Sequence, residues 1–236
     1  MRSLRVSRSI SAQSSTVTST DRQSNELYEQ QGMGRRIGFG LRPAVLVIDM
    51  QNDFCDAEAP TTLYPSICST YEPIQQLIKV ARETSAPVMY TQGLVAADGS
   101  SAGLWLKKMS YHGTRSIQIE GSRGAEIIDE LRPEPGDRVI RKWRPSAFFR
   151  TDLELFLSVK AIDTLMICGT SMSGCVRATA IDAFMRDIRP IIVRECVADR
   201  TEAVLQANLF DVDQKYGDVV SVEDCLRHLR NRQTGP

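Results

Sequence analysis

Ala44-Val-Leu-Val-Ile-Asp49-Met50-Gln-Asn-Asp-Phe54 is the stretch on which the fold turns. Five apolar residues in succession, three of them β-branched, show no polar alternation, as expected of a strand covered on both faces and therefore of a buried parallel sheet. Working outward, similar short runs recur at 87–91, 138–142, 164–168 and 190–194, with a brief one at 218–220. Between them, apolar residues follow a helical period over 71–84, 123–131, 151–159, 175–186, 202–215 and 222–229. Strand and helix alternate. That pattern predicts an α/β three-layer sandwich around a six-stranded, mainly parallel sheet. The stretch 93–118, with Gly99-Ser100-Ser101 and Trp105, has no clean period and reads as a lid or subunit-contact loop.

At 236 residues, with 42% apolar and 25% charged positions, the chain suffices for one core. Residues 1–25 are rich in Ser, Thr and Arg, have no acidic residue before Asp21 and read as a flexible arm; 26–236 read as the globular domain. The arm also has the composition of an organellar transit peptide, so import is the alternative to a cytoplasmic location. Lys plus Arg equal Asp plus Glu at 29 each, and no basic-aromatic run stands out, so no nucleic-acid partner is expected. No apolar run approaches the ~20 residues that span a bilayer, so no membrane partner is expected. A small molecule remains. The six cysteines lack the spacing of metal or disulfide frameworks and read as reduced thiols. His112 and His228 are the only histidines and neither sits in a motif, which disfavours a histidine base or a His-rich metal site. No cofactor is expected.

In an open α/β sheet, ligands gather outside the carboxyl ends of the strands. Three such ends carry reactive groups: Asp49 closes the first strand, Lys142 the third, and Gly169-Thr-Ser-Met-Ser-Gly-Cys175 follows the fourth. Cys175 is read as opening a helix, whose free N–H groups and dipole favour a thiolate. A lysine nearby would depress the thiol pKa further, and Asp49 could take its proton. Amides at Ser171 and Cys175 could donate to an oxyanion. Singly, each residue has an ordinary explanation: a cap, a solvated strand end, a small core thiol. Three in one sheet suit a nucleophilic site far better.

Asp49-Met-Gln-Asn-Asp-Phe54, Lys142-Trp-Arg-Pro-Ser-Ala-Phe148 and Gly169-Thr-Ser-Met-Ser-Gly-Cys175-Val-Arg-Ala-Thr, in this order, resemble the motifs of the isochorismatase-like cysteine hydrolases. Arg36-Ile-Gly-Phe-Gly, Ala198-Asp-Arg200 and Asn208-Leu-Phe-Asp-Val-Asp-Gln-Lys-Tyr-Gly-Asp218 resemble the branch acting on N-carbamoylsarcosine and maleamate. The resemblance implies an Asp49-Lys142-Cys175 triad releasing ammonia from a small carboxylate-bearing amide or ureido compound through a thioester or S-carbamoyl enzyme. It also implies a cis peptide at Thr170–Ser171 in the oxyanion loop, a substrate carboxylate on Arg200, and a homo-oligomer, dimer or tetramer, with Gln214, Lys215 and Tyr216 approaching a neighbour's site. Trp143, Phe148 and Phe149 are candidate apolar walls of the substrate site. Thr91-Gln-Gly-Leu-Val-Ala-Ala-Asp-Gly lacks the histidine of the metal-bearing nicotinamidases, so the resemblance implies no catalytic metal. Alternatives are a metal-independent nicotinamidase- or ureidoacrylate-type amidase, and a non-catalytic redox or ligand sensor. A dinucleotide-binding oxidoreductase is disfavoured, because no G-x-G-x-x-G follows the first strand.

Overall fold

The structure, a computed structural model, describes residues 26–59, 61–109 and 117–232. The described residues divide into two units, 26–34 and 35–232. In the first, residues 26–30 form a helical turn closed by the Gln31 and Met33 amides on the carbonyls of Leu27 and Tyr28. The arm expected at 1–25 lies outside the described residues.

The second unit is built on six strands: β1 (Pro43–Ile48), β2 (Val88–Gly93), β3 (Arg138–Lys142), β4 (Thr164–Thr170), β5 (Arg189–Ala198) and β6 (Asp218–Val220). Their order is β3-β2-β1-β4-β5-β6, and every neighbouring pair is parallel. The principal helices are α1 (Tyr71–Glu83), α2 (Leu153–Val159), α3 (Arg177–Phe184), α4 (Glu202–Lys215) and α5 (Val222–Asn231). The pleat of β1 explains the layering. Val45 and Val47 join one core cluster with Ile74 and Leu77 of α1 and Leu229 of α5. Leu46 and Ile48 join the other with Leu153 of α2, Ala180 of α3 and Val212 of α4. Each such aliphatic side chain, fully buried, contributes roughly 1.5–3 kcal/mol, which lets the sheet carry a polar cluster at one rim. Side-chain caps fix two helix starts: Thr201 Oγ1 accepts from the Val204 amide and Ser221 Oγ from that of Asp224, each worth ~1 kcal/mol.

Strand order reverses direction between β1 and β4, the switch point where crevices open in such sheets. The segment expected as a helix over 123–131 is instead two 3-10 turns, Arg123–Ala125 and Asp129–Leu131. The cause is competition for its backbone. Gln51 and Gln92 donate to the Ala125 carbonyl, Asn52 donates to those of Arg123 and Glu126, and the Ile128 amide bonds to the Met50 carbonyl. The segment is thereby laid along the exit of β1 rather than coiled on itself. β5 extends beyond the expected 190–194, with a register shift opposite Ile167 and Gly169. The helix expected over 175–186 is regular only from Arg177, after a wide turn at Met172–Val176 in which Gly174 is non-helical. In the loop 93–118, Trp105–Lys108 form one helical turn, and Val95 bridges to Ile119; 110–116, with His112, lie outside the described residues. Among the described residues no helix is long and apolar enough to cross a membrane.

Candidate active site

Asp49 follows the last residue of β1 with φ +47°, a left-handed conformation that aspartate tolerates better than most residues. The turn lifts its side chain out of the pleat at the strand's carboxyl end. Two strands away, Lys142 ends β3 opposite Gly93. Beside β1, the penultimate residue of β4 is Gly169 at φ +104°, and a Cβ there would stand 2.0 Å from the Ile48 carbonyl oxygen. Only glycine allows β4 to press so close. Ile48 and Gly169 are register partners, so Asp49 and the turn bearing Cys175 leave the sheet side by side.

The three predicted groups meet. Lys142 Nζ lies 2.7 Å from Asp49 Oδ2 and 3.3 Å from Cys175 Sγ, and donates to the Arg144 carbonyl at 3.1 Å. Asp49 is 0% and Lys142 1% exposed; Cys175 is half-buried. Thr91 Oγ1 donates to Asp49 Oδ1 at 2.6 Å. Oδ2 is ion-paired with the ammonium, and Cys175 stands close enough to feel the charges of both.

Burial pulls the Lys142 pKa down, but the charges of Asp49 and Cys175 outweigh it, so the net shift is upward and the ammonium persists. The thiol behaves differently from the sequence reading. Burial pushes Cys175 up to about 12; Lys142 opposes the rise and the Asp49 carboxylate reinforces it. No regular helix starts at the sulfur to offset desolvation, and Lys142 already shares its charge with Asp49. The sulfur therefore rests as a thiol.

Two further anchors hold the turn that bears Cys175, whose Thr170–Ser171 peptide is cis. Thr179 Oγ1 donates to the Cys175 carbonyl at 2.7 Å and accepts from the Ala147 amide at 3.0 Å, joining α3 to the segment after Lys142. Asp199, after β5, accepts from the Ser173 amide.

Against known proteins, the Isochorismatase domain description matches residues 43–224, from the start of β1 into α5. The chain belongs to the isochorismatase family. It is 39% identical over 208 residues to the N-carbamoylsarcosine amidase of an Arthrobacter species, covering 86% of this chain and 77% of that protein. It is likewise 39% identical over 203 residues to the maleamate amidohydrolase of Pseudomonas putida, covering 84% and 92%. A solved cysteine hydrolase from Pseudomonas syringae has a TM-score of 0.77 at 26% identity, covering 84% of this chain and 97% of its own.

The remaining predicted residues of this isochorismatase-family chain make contacts of their own. Arg200 is exposed and lines a cavity of about 340 Å³ with Leu63, Tyr64, Pro65 and Ser66. Trp143 is half-buried beside Lys142. Phe148 is in the same core cluster that Cys175 packs against, with the Arg186 guanidinium 4.8 Å over its ring. Phe149 is 51% exposed. Lys215 pairs with Asp211, and Tyr216 meets Phe184 edge-on. Among the described residues no three His, Cys, Asp or Glu side chains converge as a metal site would require.

Four buried polar residues around this cluster escaped the sequence reading. Gln51, fully buried, donates to the carbonyls of Gly93 and Ala125 and accepts from the Gly93 amide and Gln118. Thr91, Thr179 and Asp199, also buried, bond to Asp49, Cys175 and Ser173 respectively. Gln51 and Asp199 stand inside motifs already singled out for their neighbours, and that adjacency was the available signal.

Proposed function

We propose that this protein is a cysteine-dependent amidohydrolase that releases ammonia from a small carboxylate-bearing amide or ureido compound, N-carbamoylsarcosine- or maleamate-like. The observation carrying this reading is the single ammonium, Lys142 Nζ, set 2.7 Å from a carboxylate and 3.3 Å from a thiol. The 39% identity to an N-carbamoylsarcosine amidase and a maleamate amidohydrolase supports the substrate class.

Burial raises the thiol pKa, so ionisation accompanies attack rather than preceding it. Asp49 Oδ2 takes the proton from Sγ as the S–C bond forms and the carbonyl π electrons move onto oxygen. Negative charge thus leaves the carboxylate by way of the sulfur, both of which face the same cation, and comes to rest on the carbonyl oxygen, which limits the desolvation cost of the transfer. Backbone amides around Ser171 and Cys175 receive the oxyanion, each such donor being worth ~10²–10³-fold in rate. On collapse the C–N bond breaks and the nitrogen takes the proton from Asp49, leaving as ammonia. Asp49 then accepts a proton from water, hydroxide adds to the acyl or carbamoyl carbon, the C–S bond breaks, and the proton returns to sulfur. A ureido substrate yields a carbamate that decays to carbon dioxide and amine. Arg200, whose fork suits a carboxylate, orients the substrate.

Maleamate, N-carbamoylsarcosine, nicotinamide and ureidoacrylate, compared by ammonia release, test the reading, with Cys175→Ser as control. A carboxylated amide should turn over and the serine variant should lose at least ~10³-fold. Silence on the whole panel, or an active serine variant, ends the proposal.

A further inference from the structure

We infer that Asp199 is a positioning residue for the nucleophile: its buried carboxylate ties the turn that carries Cys175 to the loop that carries Arg200, and so sets the sulfur's angle of attack. This rests on the amidohydrolase reading above. Asp199 is 3% exposed and immediately follows β5. Its Oδ2 accepts from the Ser173 amide at 2.6 Å and its Oδ1 from the Arg200 amide at 2.8 Å, while its carbonyl accepts from Ser66 Oγ at 3.2 Å. The register shift between β4 and β5 makes this possible. It pairs Gly169 with Val197 and Thr170 with Ala198, so Asp199 comes level with the residue that opens the nucleophile turn.

The turn needs such an anchor. Gly174 is non-helical, so a regular helical ladder is interrupted one residue before the sulfur, and Ser173 donates instead to a carboxylate from another strand. Charge-assisted bonds to backbone amides are short and directional, which suits a group that must hold a reactive atom. Because the same carboxylate grips the Arg200 amide, and Ser66 beside it lines the Arg200 cavity, one side chain connects the substrate-orienting loop to the nucleophile turn.

The test uses the full chain. Asp199→Ala should lower kcat for the carboxylated amide about 10²-fold, the effect of displacing a reacting group by an ångström, while moving KM less than threefold; Arg200→Ala should chiefly raise KM. Asp199→Asn, which keeps one acceptor, should fall between wild type and Asp199→Ala in kcat. The rate at which iodoacetamide alkylates Cys175, read by peptide mass spectrometry, should change at least threefold in Asp199→Ala with an unaltered circular dichroism spectrum. That readout needs no substrate, so it judges Asp199 even if no amide is hydrolysed. If Asp199→Ala does not fold, Asp199→Asn and hydrogen exchange of the Ser173 amide in the unmodified protein carry the test, and that amide should be strongly protected. Wild-type kcat and alkylation in the folded variants, or rapid exchange at Ser173, would overturn the inference.

Discussion

Thr91 and Asp49 exchange two hydrogen bonds across adjacent strands: Thr91 Oγ1 donates to Asp49 Oδ1 at 2.6 Å and accepts from the Asp49 amide at 3.1 Å. One hydroxyl thus fixes both the strained backbone and the roll of the carboxylate, keeping Oδ2 towards the sulfur and the ammonium. Thr91→Val, close in shape, should lower kcat about tenfold and cost ~1–3 kcal/mol of stability through the unpaired buried groups. Thr91→Ser should retain most of both. Ammonia release and urea unfolding measure this, and a valine variant with undiminished kcat would refute it.

Lys142 and Asp49 are both dry, so removing one strands the other. Lys142→Met should abolish activity and destabilise the fold by ~3–5 kcal/mol. The double variant Lys142→Met/Asp49→Asn should recover much of that stability and none of the activity. Chemical denaturation of the four proteins in the cycle checks the coupling; strictly additive losses would mean that the pair does not interact as described.

The raised thiol gives a signed pH dependence. Below its folded value the Cys175 thiolate grows tenfold per pH unit, so its alkylation should climb log-linearly from pH 7 to 10 without levelling near its ordinary value of 9.0. Stability follows the same shift. The folded state keeps this proton up to about 12. The contribution is therefore complete below pH 9 and declines as pH rises from there, by up to ~1.4 kcal/mol per unit. Cys175→Ala should flatten that part of the alkaline unfolding profile. An alkylation plateau at pH 8 would show a thiolate already formed at rest.

Gly169→Ala should be among the most damaging single substitutions. Its Cβ would meet the Ile48 carbonyl oxygen at 2.0 Å, at a φ that side chains rarely adopt. A loss above ~3 kcal/mol is expected from clash and strain together, seen as a collapsed yield or a much lower melting temperature. A well-folded alanine variant would contradict the tight approach of β4 to β1.

What the letters disclosed follows physical range. The all-apolar run at 44–48 announces a doubly covered strand because burial acts residue by residue, and Asp49, Lys142 and Cys175 stand at strand ends that periodicity locates. The turns at 123–131 were misread because amphipathic spacing cannot register that Gln51 and Asn52, some seventy positions earlier, claim their carbonyls. Thr91, Thr179 and Asp199 were passed over for the same reason: Thr91 meets Asp49 and Asp199 meets Ser173 only through sheet register, and Thr179 meets Ala147 only through helix packing. The thiol's character was inferred from an assumed helix start and a neighbouring cation, whereas desolvation, which no motif records, dominates.

Lys142 belongs to β3, the outermost ribbon of the sheet on its side. Edge ribbons detach by local opening at less free energy than the central ones. Peeling that margin back would withdraw the shared positive charge while β1 and β4 stayed joined, so this catalyst should fall silent on warming before it melts.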